Sequence, residues 1–220
     1  MRDMYRHQDF ALLRLFIQAT DSGRTLRWRK GNQQPFRSAH QVGRMREDNT
    51  QHSAGMIFMA NCIITKAGLE GDVTTSSLNL SVLVDMISTH DIDEYLAGDS
   101  RKKTAEYRAR ELRARAITHE HMGRSDVGKV LVARSVEYHA KLTPEARFTK
   151  ALDEMQAWVY IIQTRGFKMS NRDFMKPDEI PGYELALEFP TLARPARIML
   201  RIMKNPKFIT TEVQELHVID

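Results

Sequence analysis

Ser88-Thr89-His90-Asp91-Ile92-Asp93-Glu94-Tyr95-Leu96-Ala97-Gly98-Asp99 places one histidine, three aspartates and one glutamate in twelve residues directly after an apolar run. In that run Leu78, Leu80, Leu83, Val84 and Ile87 recur with a period near 3.6, which predicts a core helix. His90 and Asp91 then fall at or just past its last turn, facing the body of the domain. A buried carboxylate must be paired or bound to a cation. Adjacent imidazole and carboxylate can reach one divalent ion where a helix breaks, but two ligands do not complete a site, which needs three or four.

Further candidates lie on either side. His52 follows Asn49 and Thr50, either of which can cap a helix whose body, Met56 to Ile64, is nearly all apolar, so the histidine belongs to the first turn. Asp153 lies on a strongly helical stretch beside Leu152, Met155 and Trp158, an unusual place for a carboxylate. Each has a plainer reading. His52 alone would be a satisfied core histidine, Asp153 a salt-bridge partner of Lys150 or Arg147, and Glu94 and Asp99 turn and cap residues ahead of the next helix.

Taken in order, His52, then His90-Asp91, then Asp153, the pattern resembles the HD-domain phosphohydrolases, over about residues 35 to 165. The likeness narrows to the branch of 5′-deoxynucleotidases and related dNTP triphosphohydrolases, whose His-Asp-x-x-Glu-x-x-x-x-Asp centre is matched by His90, Asp91, Glu94 and Asp99, with Gly98 before the last aspartate. Gln51-His52-Ser53 stands where the family opens its first helix with an acidic residue, and Thr143 to Asp153 resembles its last ligand helix.

The resemblance implies an all-α helical bundle with the metal site in its core, His52, His90, Asp91 and Asp153 being the ligands of a divalent ion. Mn²⁺, Co²⁺, Mg²⁺, Fe²⁺ and Zn²⁺ all suit the mixed set. Glu94 is implied as general acid or base near the attacking water, Asp99 as its helper, and Arg37 as the clamp on the substrate phosphate, with Arg44 and Arg46 as rivals. Lys102 and Lys103, close in sequence to Asp99, are candidate phosphate contacts. Where the family often carries a tryptophan just after that arginine, this chain has Ser38, Ala39 and His40. The implied reaction is hydrolysis of nucleotides, foremost release of phosphate from dNMPs. The alternatives are release of triphosphate from a dNTP such as dATP, and a nucleotide or nucleic-acid binding module without turnover. A homo-oligomer, dimer or larger, is also implied.

The 220 residues, 42% of them apolar, are enough for one domain with a substantial core. Lysine plus arginine number 33 against 28 acidic residues, a net charge of +5 that suits an anionic partner without identifying it. The deoxynucleotide is the expected one, rather than nucleic acid. A single cysteine, Cys62, excludes a disulfide framework and fits a reducing cytosol. No apolar run is long enough to span a membrane and no signal-type segment follows the start, so the expectation is a soluble cytoplasmic protein without a membrane partner.

Residues 8 to 20 read as a first helix and 24 to 34 as a basic loop or short hairpin. Residues 71 to 76 read as a turn-rich link. The helix running to about His121 carries Arg108, Arg110, Arg113 and Arg115 on what reads as a solvated face. Residues 125 to 142 form a helix with Val127, Val130, Leu131 and Val136 as its apolar side, and 144 to 164 the helix of Asp153. The domain is expected over 1 to 166. The segment 167 to 220, rich in proline, is expected to pack on it as a C-terminal extension with a short helix at 196 to 204.

Overall fold

The computed structural model describes residues 49–98, 104–165 and 182–204, which form helices joined by short turns with no strand among them. The fold is all-α. Its helices are α1 (Asn49–Glu70), α2 (Val73–Ser76), α3 (Leu80–Thr89), α4 (Glu94–Ala97), α5 (Ala105–Met122), α6 (Asp126–Ala140), α7 (Pro144–Arg165), α8 (Tyr183–Leu187) and α9 (Pro190–Lys204). The helix expected at 8 to 20, the basic loop at 24 to 34, and Arg37, Asp99, Lys102 and Lys103 lie outside the described residues.

The long helices α1 and α7 carry the core. On α1 the buried positions His52, Gly55, Met56, Met59, Ala60, Ile63 and Ala67 trace one stripe at steps of three and four. On α7 the buried stripe runs through Phe148, Ala151, Leu152, Met155 and Val159. These two faces pack against each other and against α3, which adds Leu83 and Ile87. His52, His90 and Asp153 are among the few polar side chains buried on these mostly apolar faces, and they meet.

Local chemistry sets the ends of α3. The Asn79 side chain accepts from the amides of Ser81 and Val82 at 3.1 and 3.3 Å, capping the helix so that Leu83 and Ile87 turn inward. At the other end the Thr89 hydroxyl donates back to the Asp85 carbonyl at 2.9 Å, and His90 is the last residue in helical conformation.

Four details differ from the sequence reading, the last of them in α9. On α6, Val127, Val130 and Val136 are exposed, while Gly128, Ser135 and Tyr138 are buried. That helix turns its polar side inward because Ser135 and Tyr138 find hydrogen-bond partners there, and small valines outside cost little. Arg115 is not on a solvated face: its guanidinium donates to Asp93 at 2.8 and 3.0 Å. The link at 71 to 76 contains a full turn, α2, capped by the Asp72 carboxylate.

Near the far end, α9 begins at Pro190 rather than at 196. Proline in the first turn starts a helix more readily than it stops one, since its missing N–H would be unbonded there. The Thr191 amide and hydroxyl both donate to Asp72, at 2.9 and 2.7 Å, and Arg194 pairs with Glu70. Phe189 stacks edge-on against Phe148 with ring centres 5.0 Å apart, joining this segment to the core.

Candidate metal centre

Three helices deliver four side chains to one point. His52 comes from the first turn of α1, His90 and Asp91 from the end of α3, and Asp153 from the middle of α7. Each offers a ligand atom, and these atoms all lie within 4.8 Å of one another. His52, His90 and Asp153 are buried and Asp91 is partly so. Ligand atoms about 2.1 Å from a shared ion sit up to about 4.2 Å apart, so small inward movements would close this set on one ion.

The surrounding bonds orient the donors. His90 Nδ1 is 2.7 Å from the Ile87 carbonyl, which only accepts, so this nitrogen carries the proton and Nε2 presents its lone pair. The His52 Nδ1–H donates to the Gln156 side-chain oxygen, leaving its Nε2 in the same state. Those Nε2 atoms face carboxylates: His52 to Asp153 Oδ1 at 3.0 Å and His90 to Asp91 Oδ2 at 3.0 Å. Imidazole lone pairs set against carboxylate oxygens need a proton or a cation between them. Two imidazoles and two carboxylates fit a divalent ion, and the mixed set does not choose among such ions.

Asp153 is held on its other oxygen by the Tyr138 hydroxyl at 2.9 Å and the Lys150 ammonium at 2.7 Å. Burial works against its charge, but the Lys150 ammonium, joined by the two histidines when they carry a second proton, outweighs burial and holds its carboxyl well below the usual carboxylate range. Burial also opposes the charge on Lys150, and the carboxylates of Asp153 and Glu154 reverse that, raising it well above an ordinary lysine. Burial, then the negative charge on Asp153, push the Tyr138 hydroxyl well up, so it stays a neutral donor.

Next to the cluster, Asp93 is buried and raised by that burial, in spite of the Arg115 guanidinium beside it. Glu94 is half-buried in the first turn of α4, its amide bonded to the Asp91 carbonyl at 3.0 Å. Gly98 closes α4 at φ 71° and ψ 163°, a conformation that essentially only glycine adopts, and accepts a 2.7 Å bond from the Tyr107 hydroxyl. The residue after it, Asp99, is outside the described residues. Of the plainer partners for Asp153, Lys150 does bond to it, whereas Arg147 goes to Glu188.

Gln156 and Tyr138 escaped the sequence reading, and Arg115 was read as a member of an exposed series. Gln156 left a signal, being an amide in the middle of the Leu152, Met155, Val159 stripe. Tyr138 and Arg115 reach the cluster from other helices, and sequence spacing carries no sign of that.

The fold and the buried cluster define an all-helical domain built around a His/Asp metal-type centre. A family described as HD domain matches residues 33–177, and the chain belongs to that family. A search of curated proteins finds no match. Among solved structures, a predicted metal-dependent phosphohydrolase from Magnetospirillum magnetotacticum MS-1 is similar in fold, with a TM-score of 0.55 and 22% identity over 90% of this chain and 94% of the other. Among the described residues no helix is long and apolar enough to cross a membrane.

Proposed function

We propose that this chain is a metal-dependent phosphohydrolase of nucleotides, with deoxynucleoside monophosphates as its leading substrates. The convergence of His52, His90, Asp91 and Asp153 within 4.8 Å carries the reading. Membership of the HD domain family and the likeness in fold to a protein described as a metal-dependent phosphohydrolase support it.

In this reading those four residues hold one divalent ion, of Mn²⁺, Co²⁺, Mg²⁺, Fe²⁺ or Zn²⁺ type. Such an ion, when bound, lowers the pKa of its water toward neutrality and offsets charge on the phosphate under attack. The chain's own residues do the rest. Ile87 and Gln156 keep the two imidazoles in the tautomer that turns Nε2 inward. Glu94 manages the proton of the attacking water, with Asp99 assisting it. Arg37 clamps the phosphate through its planar guanidinium, and Lys102 and Lys103 supply further positive charge to it.

The basic residues Arg27 to Lys30 and Arg101 to Lys103 favour a second reading, since they would suit a longer phosphate chain: release of triphosphate from a dNTP. The same proposal carries a cytoplasmic homo-oligomer, dimer or larger, which sedimentation of the purified chain would test.

The deciding assay incubates the protein with each dNMP and each dNTP in Mn²⁺, Co²⁺ or Mg²⁺, and resolves phosphate, pyrophosphate and triphosphate. Phosphate from dNMPs, abolished by His90→Ala and Asp91→Ala, is the expected result. Triphosphate from dNTPs would move the assignment to the second reading. Absence of metal-dependent release from either set would overturn both and leave a binding module without turnover.

A further inference from the structure

The two oxygens of Asp153 have different surroundings. Oδ1 faces His52 Nε2 at 3.0 Å and His90 Nε2 at 3.8 Å. Oδ2 accepts from Lys150 Nζ at 2.7 Å and from the Tyr138 hydroxyl at 2.9 Å. Those donors come from different helices and are themselves fixed. Lys150 is gripped by Glu154 Oε1 at 2.6 Å, one turn along α7. Glu154 in turn lies under the returning chain at Gly182, so closely that a Cβ there would come within 2.7 Å of it. Tyr138 is buried, with its ring edge-on to His90 at 5.7 Å.

A carboxylate binds an ion through one oxygen or two. Binding through two would require Oδ2 to surrender a charge-assisted bond from a half-buried ammonium and a second, buried bond from a phenol, and such bonds are costly to break. Single-oxygen ligation keeps both. It also leaves the ion with a lower coordination number, which suits a small ion of tetrahedral preference better than a larger one that takes six or more ligands.

We propose that Lys150 and Tyr138 are positioning residues that reserve Asp153 Oδ2, restrict this ligand to one oxygen, and so set which divalent ion the centre prefers. The inference rests on the metal-centre reading above. A purely structural role for Lys150, as an i,i+4 partner of Glu154, would affect folding stability and leave ion preference alone.

The test uses the full chain stripped of metal by chelation, with Zn²⁺ and Mn²⁺ as separate probes in equilibrium dialysis and circular dichroism to verify the fold. In Lys150→Met the ratio of Zn²⁺ to Mn²⁺ affinity is expected to move about tenfold toward Mn²⁺, the usual scale for losing an outer partner of a metal ligand. The visible absorption of the Co²⁺-loaded variant is expected to weaken as its coordination number rises. Tyr138→Phe removes only a hydroxyl, is expected to shift the ratio about threefold in the same direction, and carries the test alone if Lys150→Met does not fold. A ratio within twofold of the unaltered protein in folded variants would overturn the inference while leaving the metal centre standing. Failure of the unaltered protein to bind either ion would overturn the metal centre and the inference with it.

Discussion

Gln156 offers the sharpest probe of the centre, because its side chain is fully buried and its oxygen accepts from His52 Nδ1, itself on a fully buried residue. Gln156→Met keeps the shape and removes the acceptor. A buried N–H left without a partner costs about 1–3 kcal/mol, and the tautomer that turns Nε2 inward is no longer enforced. Loss of an outer partner of a metal-binding histidine typically weakens metal affinity 10–100-fold, or about 1.4–2.7 kcal/mol. Gln156→Glu retains an acceptor of greater strength and is expected to bind the ion within a few-fold of the unaltered protein. Gly55→Ala approaches the same bond from the far side: its Cβ would lie 3.1 Å from Gln156 Nε2 and 3.4 Å from Cγ, so the amide must retreat by a few tenths of an ångström. Calorimetric titration of Mn²⁺ into metal-stripped protein measures all three. The order expected is Gln156→Met weakest, Gly55→Ala intermediate and Gln156→Glu strongest. Binding by Gln156→Met within twofold of the original would refute the role given to this bond.

Two more outcomes follow from buried charge. Arg115→Met leaves the Asp93 carboxylate buried without its guanidinium, and urea unfolding is expected to show a loss of about 3 kcal/mol; an additional Asp93→Asn should recover part of it, and no recovery would contradict the pairing. His139 is held neutral, its pKa lowered from 6.5 to about 3 by burial first and then by Arg115, Lys150 and His119, against a smaller opposite pull from Asp91. Below pH 6.5 the unfolded chain takes up a proton that the folded one refuses, so stability should fall as pH drops from 6.5 toward 3. His139→Gln should flatten that slope in thermal melts, and an unchanged slope would count against it.

The helix carrying His90 was legible because apolar spacing is a property of single helices: Leu83 and Ile87 are buried, and the period they set puts His90 on the same inner side. His52 and Asp153 were recognisable as polar interruptions of apolar stretches, and the structure brings them to within one cluster with His90 and Asp91. What could not be read were pairings across helices. Arg115 looks like any member of an exposed arginine series until α5 is laid beside Asp93. The valines of α6 look like a core face because they are apolar, yet the side that faces inward is chosen by Ser135, bonded to His119 at 3.0 Å, and by Tyr138. Periodicity reports how much of a helix can be buried, and its neighbours decide which side is.

The uneven covering of the four donor residues has a consequence for traffic. The side chains of His52, His90 and Asp153 are 0%, 1% and 7% exposed, while that of Asp91 is 14% exposed. Among the described residues, Asp91, at the corner where α3 gives way to α4, is therefore the donor of the four that solvent reaches most readily. The turn at that corner is fastened to α5 by the Asp93–Arg115 and Gly98–Tyr107 bonds, so the most open donor of the four stands on a stretch of chain tied down twice.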